Sequence, residues 1–380
     1  MADRIAKIVR KLPKLKDVTG VWKEADRHLE AGDAAFVADL GIALAERYAP
    51  NADRGWQYRS VFSRLLRMLI LAEGPESLAQ ALRLIAAPAV GGRALDRKAA
   101  SLLVSSRTAE ELTVAFTESG TSGSASEELR ACLVHELVLR GVAVAEVPGI
   151  ARWATSSHWT RHPLGRLPLT RSEVEEDADL PDYGVNGGSY SLPYGPVESG
   201  GRTAVPGAPV PAATETTTEA EGTAVVKAVA NWVEESNGRT EARIFALAEP
   251  LNGDTVASAI VALGLDCLKG TGKERKFSAS SIAPAYAWRV LFAAASTGGA
   301  YNSGILGAYG RLAAWQSLAG LSGAAEGATF GEVEQRVRDC AWYGFDADTK
   351  WFKRVAWDLG LAAVTPDGRR LAVLAATDTD

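Results

Sequence analysis

The acidic and glycine-rich stretch in the middle of the chain decides how the fold is divided. Residues 173–196 read EVEEDADLPDYGVNGGSYSLPYGP, an acidic run that passes into glycines, prolines and tyrosines. Before this stretch the pattern is that of amphipathic helices, and after it helices alternate with strands. We therefore predict a helical domain at 1–150, an inter-domain segment with a Gly/Pro/Thr-rich connector at 151–222, and an α+β domain at 223–380.

The composition is that of a globular protein, and it narrows the possible classes of function. Of 380 residues, 47% are apolar and 23% are charged, and the net charge of −5 disfavours nucleic acid as a partner. Cys132, Cys267 and Cys340 are far apart and form no CxxC pair, which argues against a disulfide framework and a zinc site. No apolar run has the length of a membrane span or a secretory signal, so we expect a cytoplasmic protein.

Helical spacing dominates the first block. One apolar stripe at positions i, i+3, i+4 and i+7 consists of Phe62, Leu65, Leu66 and Leu69. Three basic residues lie largely off that stripe: Arg59, Arg64 and Arg67. Helix N-caps are predicted at Asp33, Thr108 and Ser124. Short helices joined by short polar links predict an α-solenoid-like block or a helical bundle.

The second block ends in the clearest strand pattern of the chain. Apolar runs at 361–364 and 371–374 flank the sequence TPDG at 365–368, where proline and glycine suit a type I turn, so a C-terminal β-hairpin is predicted. Residues 239–247 have the pattern of a further strand that would join the hairpin. The whole chain is therefore predicted to be α+β and mainly α, with the α+β block the smaller of the two.

The densest group of polar side chains lies in residues 151–172 and just after them. The candidate catalytic residues are His158, Arg161, His162, Asp182 and Tyr183. The candidate ligand-binding residues of this segment are Arg152 and Trp159. Histidine can move protons near neutral pH, and arginine can bind carboxylate or phosphate. The structural alternative, which the sequence favours, is a domain-crossing segment whose arginines pair with the acids at 173–179.

A run of glycines, small residues and tyrosines occupies residues 298–315. Its small residues, from position 300 onward, would lie roughly along one helical face. In a ligand-binding interpretation Tyr301, Tyr309 and Arg311 would be the polar groups that contact the ligand. The alternative, which the sequence favours, is tight packing of this helix in the core.

No motif fixes a reaction or a cofactor. Residues 269–273 read KGTGK, but position 274 is Glu, where a phosphate-binding loop needs Ser or Thr. His135 and Glu136 begin an HExxH pattern, which fails because position 139 is Leu. Asp378 and Asp380 could hold a divalent ion, but a solvated terminus is the favoured interpretation. We therefore expect neither a metal site nor a cofactor.

Three stretches of the second block resemble an uncharacterised protein family of high-GC bacteria. They are NGRTEARIF at 237–245, the glycine and tyrosine run to Trp315, and the closing sequence from Trp357 to Asp380. The resemblance covers mainly residues 223–380. It implies no activity, site or cofactor, because the family has no assigned function.

Three functions are compatible with these patterns. The leading hypothesis is a non-catalytic cytoplasmic protein that binds a protein partner through its helical block. The alternative is an enzyme with a His/Arg site at the cleft between the two blocks. The second alternative is an anion- or nucleic-acid-binding module, which needs Arg59, Arg64 and Arg67 on one face with the N-terminal basic residues.

Overall fold

The structure is a computed structural model that describes eight stretches of the chain. They are residues 2–49, 55–117, 125–176, 178–193, 202–204, 208–269, 277–352 and 357–379. The chain forms two compact units. The first unit comprises Met1–Gly165 and Pro181–Ser189, and the second comprises Arg166–Leu180 and Tyr190–Asp380. These limits differ from the predicted ones at 150 and 222, and a division into separately folding domains stays a prediction.

The first unit is helical, apart from one small hairpin. Its α-helices are α1 (Ala2–Lys11), α2 (Thr19–Glu30), α3 (Ala34–Tyr48), α4 (Trp56–Leu71), α5 (Pro75–Ala86), α6 (Arg93–Ser106), α7 (Ala109–Leu112), α8 (Glu127–Leu139), α9 (Pro148–Trp153) and α10 (Ser157–Arg161). Short 3-10 turns occupy Leu12–Lys14, Thr113–Phe116, Val144–Glu146 and Pro163–Arg166. The predicted helical block is thus present.

Helix α3 packs against four neighbouring helices. It contacts α1, α2, α4 and α5, and its buried side chains include Phe36, Leu40 and Leu44. A Cβ on Gly41 would lie 2.8 Å from Leu84 Cδ1, so the absent side chain lets α5 pack closely. Contacts with the two helices before it and the two after it occur both in helical bundles and in α-solenoids, the two predicted forms of this block.

Local hydrogen bonds start several of these helices. The Asp33 carboxylate accepts from the Phe36 N–H, and Thr108 forms a full capping box with Glu111, as the sequence predicts. Ser124 lies outside the described residues. Helix α8 is instead capped by Ser126, whose hydroxyl accepts from the Leu129 N–H at 2.9 Å.

A two-stranded hairpin from the predicted connector belongs to the first unit. Strands β1 (Asp182–Gly184) and β2 (Gly187–Ser189) pair antiparallel. The Tyr183 hydroxyl lies 2.9 Å from Ser101 Oγ on α6, and the Val185 carbonyl accepts from Arg67 Nε on α4 at 2.8 Å. These bonds to two helices explain why the hairpin is part of the helical unit although the sequence suggests a connector.

The second unit is built on a seven-stranded antiparallel sheet among the described residues. The strands are β3 (Arg202–Thr203), β4 (Ala213–Glu215), β5 (Arg239–Leu247), β6 (Phe277–Ile282), β7 (Ala341–Ala347), β8 (Trp357–Val364) and β9 (Arg370–Asp378), in the spatial order β3-β6-β7-β8-β9-β5-β4. Strands β8 and β9 form the predicted C-terminal hairpin, and β5 has the predicted limits and pairs with β9.

Helices cover this sheet. They are α11 (Glu219–Val225), α12 (Ala230–Glu235), α13 (Val256–Ala262), α14 (Pro284–Thr297), α15 (Leu306–Ser322) and α16 (Phe330–Asp339), with 3-10 turns at Lys227–Val229, Gly253–Thr255 and Asp266–Leu268. Helix α13 shares one core with Phe245, Val373 and Ala375, whereas α15 contacts β8 and β9. The fold is therefore α+β and mainly α, which confirms the predicted class.

The residues before α15 form a loop where the sequence suggests a continuous helical face. Gly298 and Gly304 have φ angles of +84° and +62°, a conformation that side-chain-bearing residues rarely adopt. The Asn302 side chain accepts from the Gly299 and Gly304 N–H groups at 3.2 and 3.0 Å. The Ala300 N–H donates to Asp378 Oδ2 at 2.6 Å. Asp378 is buried, so it is not part of a solvated terminus; Asp380 lies outside the described residues.

A buried ion pair fixes the segment before the hairpin within the second unit. Arg311 on α15 donates from Nε and Nη2 to the Glu175 carboxylate at 2.6 and 2.8 Å. Arg311 also donates to the carbonyls of Pro168 and Thr170 at 2.9 and 2.8 Å. Trp315 Nε1 donates to Glu175 Oε1 at 2.6 Å. Residues 168–175 are therefore held against α15 by charge-assisted bonds.

Candidate functional site: an arginine pocket in the first unit

A cavity of about 420 Å³ opens on the first unit. It is lined by Trp22, Trp56, Arg59, Ser60, Ser63, Arg64, Arg67 and Asn186. We call it the arginine pocket. Three of these side chains are cationic, and none of these eight lining residues is acidic. A cavity with this lining attracts anions.

Helix α4 supplies most of the lining because of its amphipathic sequence. Its six pocket residues recur at spacings of three and four from Trp56 to Arg67, which places them on one helical face. The opposite face is buried through Val61, Leu65 and Leu69. The three arginines that the sequence placed off the apolar stripe thus share one face, as that pattern predicts.

Arg64 is held in a fixed orientation in the pocket wall. Its Nη1 donates to Asn186 Oδ1, and its Nη2 lies 3.3 Å from Asp26 Oδ2. Its guanidinium carbon lies 5.0 Å from the centre of the Trp22 ring, within the range of a cation–π contact. Only 15% of the Arg64 side chain is exposed. An arginine fixed in this way loses little conformational entropy when it binds a ligand.

Two donors of this wall lack an acceptor. Arg64 Nε and Trp22 Nε1 are both buried, and within the described part of the chain neither has a hydrogen-bond partner. A buried donor without an acceptor costs about 1–3 kcal/mol, so folded proteins rarely leave one without a reason. An anion that enters the pocket would bring acceptor atoms to this wall.

Positive charge continues past Arg64 towards α6. Burial lowers the pKa of Arg67, and repulsion from Arg64 lowers it further. Burial also lowers the pKa of Lys98 on α6, with repulsion from Arg67 as the second cause. Neighbouring like charges repel one another, and a bound anion would relieve that repulsion.

The chemistry of the lining is that of binding. Arginine pairs bidentately with phosphate or carboxylate, serine hydroxyls donate or accept, and tryptophan offers a flat apolar face. None of the eight lining residues is a histidine, cysteine, aspartate or glutamate, so the lining places no general base beside the Ser60 and Ser63 hydroxyls. Among the described residues there is also no cluster of such residues that could hold a metal ion.

The predicted catalytic histidines lie outside the arginine pocket and face the first turn of α8. His158 Nδ1 pairs with Glu127 Oε1, and both side chains are about half exposed. His162 Nδ1 accepts from the Leu164 N–H at 3.3 Å, so the proton is on Nε2, which faces Glu128 Oε2 at 3.3 Å. Each of these histidines therefore has a carboxylate partner within the first unit.

Two other candidate catalytic residues, Tyr183 and Asp182, are not assembled with these histidines. Tyr183 bonds to Ser101, and its pKa is raised mainly by burial, with repulsion from Glu136 as a further cause. Glu136 is eight residues from Glu128, about 12 Å along α8. Asp182 is an exposed residue of the same strand as Tyr183. The histidine–carboxylate pairs and Tyr183 therefore lie towards opposite ends of α8.

The remaining candidates of the segment at 151–172 have structural surroundings. Trp159 is buried and stacks on His135 with ring centres 5.3 Å apart. Arg161 is exposed and donates from Nε to the Ser157 carbonyl at 3.0 Å, within its own helix. Arg152 is exposed at the end of α9. Trp159 packs in the core and does not offer an open ring to a ligand.

In the second unit, the three predicted ligand contacts have different surroundings. Arg311 is fully buried and bound to Glu175, so it anchors the fold and is not an accessible group for a ligand. Tyr301 is 60% exposed in the loop before α15, and Tyr309 is half-buried on that helix. Sequence reasoning placed these residues on one helix, whereas Tyr301 precedes its first turn.

Sequence reasoning missed five residues of the arginine pocket. They are Trp22, Trp56, Ser60, Ser63 and Asn186. The periodicity of α4 could have identified the three that share its face. Asn186 could not be found in this way, because its contact with Arg64 joins positions 122 residues apart.

Comparison with known proteins gives a family but no activity. No curated protein and no solved structure matches the chain. The model of a family of unknown function matches residues 19–380, nearly the whole chain, whereas the predicted resemblance was confined mainly to residues 223–380. The match therefore takes in the arginine pocket as well as the sheet. The chain belongs to this family of unknown function, DUF6183.

Proposed function

We propose that this protein is a binding protein that takes up an anionic ligand in the arginine pocket of its first unit. The observation that carries the proposal is the grouping of Arg59, Arg64 and Arg67 in one cavity without an acidic lining residue. It makes the anion-binding alternative from the sequence more specific. The proposal retains the predicted cytoplasmic location, with which three buried free thiols are compatible.

The competing explanation for three arginines on one helix is a solvated basic face. Long basic side chains on such a face are normally exposed and change conformation freely. Arg64 is instead largely buried, stacked on Trp22 and bonded to Asn186. Arg67 is bonded to the Val185 carbonyl. These contacts support a built site.

A catalytic role is the second candidate, and one specific observation favours it. His158 faces the Glu127 carboxylate at the start of α8 through Nδ1, as a general base and its orienting acid would. The acids of this turn, Glu127 and Glu128, are also explained locally, because carboxylates are favourable in the first turn of a helix. Glu128 in addition lies 3.5 Å from Arg97 Nε. The predicted scaffold role for a protein partner stays a hypothesis beside these two.

Isothermal titration calorimetry with inorganic phosphate, pyrophosphate and citrate tests the proposal. We expect at least one of these anions to bind, with an affinity that falls as salt is added. Loss of one hydrogen bond to a charged group costs about 1.5–3 kcal/mol, which is roughly a 10- to 150-fold loss of affinity. The Arg64→Gln/Arg67→Gln double variant should therefore bind at least tenfold more weakly.

The matched control is Arg47→Ala, which removes an exposed arginine from the last turn of α3. It removes one positive charge, as each substitution of the double variant does, and it leaves every pocket residue in place. We expect it to bind the same anion with unchanged affinity. Equal binding by the double variant and the wild type, or no binding of any of the three anions, would reject the proposal.

A further inference from the structure

The arginine pocket combines an exposed aromatic ring with its cationic wall. Trp56 lines the pocket and is 48% exposed, although tryptophan is a large and mostly apolar side chain. Trp22, in contrast, is covered on one side by the Arg64 guanidinium. A tryptophan ring that lines a cavity and remains open provides a face on which a planar group can stack.

The spacing of the lining residues along α4 bears on the length of the ligand, because Arg64 and Arg67 are two to three helical turns from Trp56. Trp56 and Arg64 are eight residues apart on α4, about 12 Å along the helix axis. Arg67 is a further turn away, towards the hairpin that carries Asn186. A bare phosphate is too small to contact both the ring and the far arginines. A ligand that uses the whole cavity therefore has a planar end and an anionic end with a spacer between them.

The residues between the two ends suit a polar spacer. Ser60 and Ser63 line the pocket at positions between Trp56 and Arg64 on the helix. Serine hydroxyls can both donate to and accept from the hydroxyls of a sugar. The order along α4 is thus aromatic, cationic, hydroxyl, cationic, because Arg59 lies between Trp56 and Ser60. Trp56, the two serines and Arg64 follow the order base, sugar, phosphate of a nucleotide, and Arg59 adds a second cation near the ring.

We propose that the ligand of the arginine pocket is a nucleoside monophosphate, with its base on Trp56 and its phosphate at Arg64 and Arg67. This inference rests on the proposed anion-binding function. A single nucleotide is favoured over a nucleic-acid chain for two reasons. The cavity is limited to about 420 Å³, and the chain carries a net charge of −5, unlike the basic balance of a typical nucleic-acid-binding protein.

The test compares four probes by calorimetry: inorganic phosphate, ribose 5-phosphate, adenosine and AMP. Stacking of a base on an aromatic side chain should make AMP bind roughly 5- to 150-fold more tightly than ribose 5-phosphate. Adenosine should bind more weakly than AMP by at least tenfold, because it lacks the phosphate. Trp56→Leu should reduce AMP affinity to that of ribose 5-phosphate, a larger loss than any that it causes for inorganic phosphate.

Trp56→Phe is the matched variant, because it keeps an aromatic face and should retain most of the preference for AMP. The outcomes separate the two proposals. If phosphate binds and AMP binds no more tightly than ribose 5-phosphate, the nucleotide inference is wrong and the anion-binding function stands. If neither phosphate nor any phosphate ester binds, the nucleotide inference is wrong, and the anion-binding function then depends on pyrophosphate and citrate, the other two anions of its own test. If Trp56→Leu weakens phosphate and AMP equally, Trp56 shapes the pocket and is not a stacking surface, and the inference fails.

Discussion

Removal of Arg311 should expose how much the buried ion pair stabilises the second unit. The side chains of Arg311 and Glu175 are both fully buried. In Arg311→Met, the Glu175 carboxylate would keep its bonds from Trp315 Nε1 and the Ser172 N–H, at 2.6 and 2.9 Å, but its charge would have no counter-ion. Methionine is close enough in length to fill the space without a donor.

The magnitude follows from what is left behind. Breaking a buried ion pair by removing one partner costs about 3–5 kcal/mol, because a charge stays buried without compensation. Two carbonyls, of Pro168 and Thr170, also lose their donor, and each unsatisfied buried acceptor adds to the cost. We therefore expect Arg311→Met to lose about 4–5 kcal/mol of unfolding free energy. In the Arg311→Met/Glu175→Leu double variant no charge is buried, so it should be no less stable than Arg311→Met alone.

Urea unfolding followed by tryptophan fluorescence measures these differences, read from the transition that the variant shifts. Arg338→Met is the control, because the Arg338–Glu173 pair is 48% and 78% exposed and should contribute less than about 1 kcal/mol. Arg311→Met within about 1 kcal/mol of the wild type would refute the argument. So would a double variant that loses the sum of the two single losses, because the two residues would then be uncoupled.

Two further predictions concern a buried carboxyl and a crowded glycine. Burial raises the pKa of Asp96 and repulsion from Glu128 raises it further, whereas the hydrogen bond with the Ser126 side chain lowers it. The folded state thus holds this proton more tightly than the unfolded chain, and the contribution of Asp96 to stability falls as pH rises above about 4. The unfolding free energy of Asp96→Asn minus that of the wild type should therefore be larger at pH 7 than at pH 4. The same difference at pH 4 and pH 7 would contradict this. A Cβ at Gly360 would lie 2.3 Å from the Phe345 carbonyl oxygen, so Gly360→Ala should cost about 1–3 kcal/mol in urea unfolding. Gly331→Ala, into open space at the start of α16, should instead be neutral or slightly stabilising, and equal losses in both variants would rule out the steric cause.

The elements that sequence patterns predicted correctly are specified by neighbouring residues. The hairpin β8–β9 contains its own turn, in which the Gly368 N–H donates to the Thr365 carbonyl at 2.8 Å and Gly368 has a φ of +68°. Strand β5 spans the predicted residues 239–247, where threonine, isoleucine and phenylalanine favour a strand. The Thr108 capping box is likewise complete within four residues. Each of these signals can be read without knowledge of the tertiary fold.

The elements that were missed depend on distant partners. Strand β6 reads FSASSI, whose small and polar residues have little strand preference, and it is a strand because it pairs with β7 some 60 residues later. For the loop at 298–304 the sequence predicts a helical face, because its small residues have helical spacing. Two glycines at positive φ and the Asn302 side chain decide its conformation instead.

The candidate site shows the same division. The periodicity of α4 separates the three arginines from the apolar stripe, so their common face was predictable. That they line a cavity was not, because Trp22 comes from another helix and Asn186 from the hairpin after the acidic run. The sequence predicts His158 and His162 as candidates because His, Arg and Trp are dense in residues 151–172. Their packing against α8 is set by contacts with Glu127 and Glu128, which are about 30 residues away in the sequence.

The path of the chain has a consequence for synthesis on the ribosome. The first unit ends at residue 165 but includes 181–189, so it cannot be completed until residue 189 has emerged. By then the Glu175 carboxylate has emerged too, whereas Arg311 follows 136 residues later. At about 5–20 residues per second, that interval is roughly 7–27 s. During this interval the segment at 166–180 lacks Arg311, the cation that fixes it. The first unit can therefore form well before the Arg311–Glu175 ion pair of the second unit.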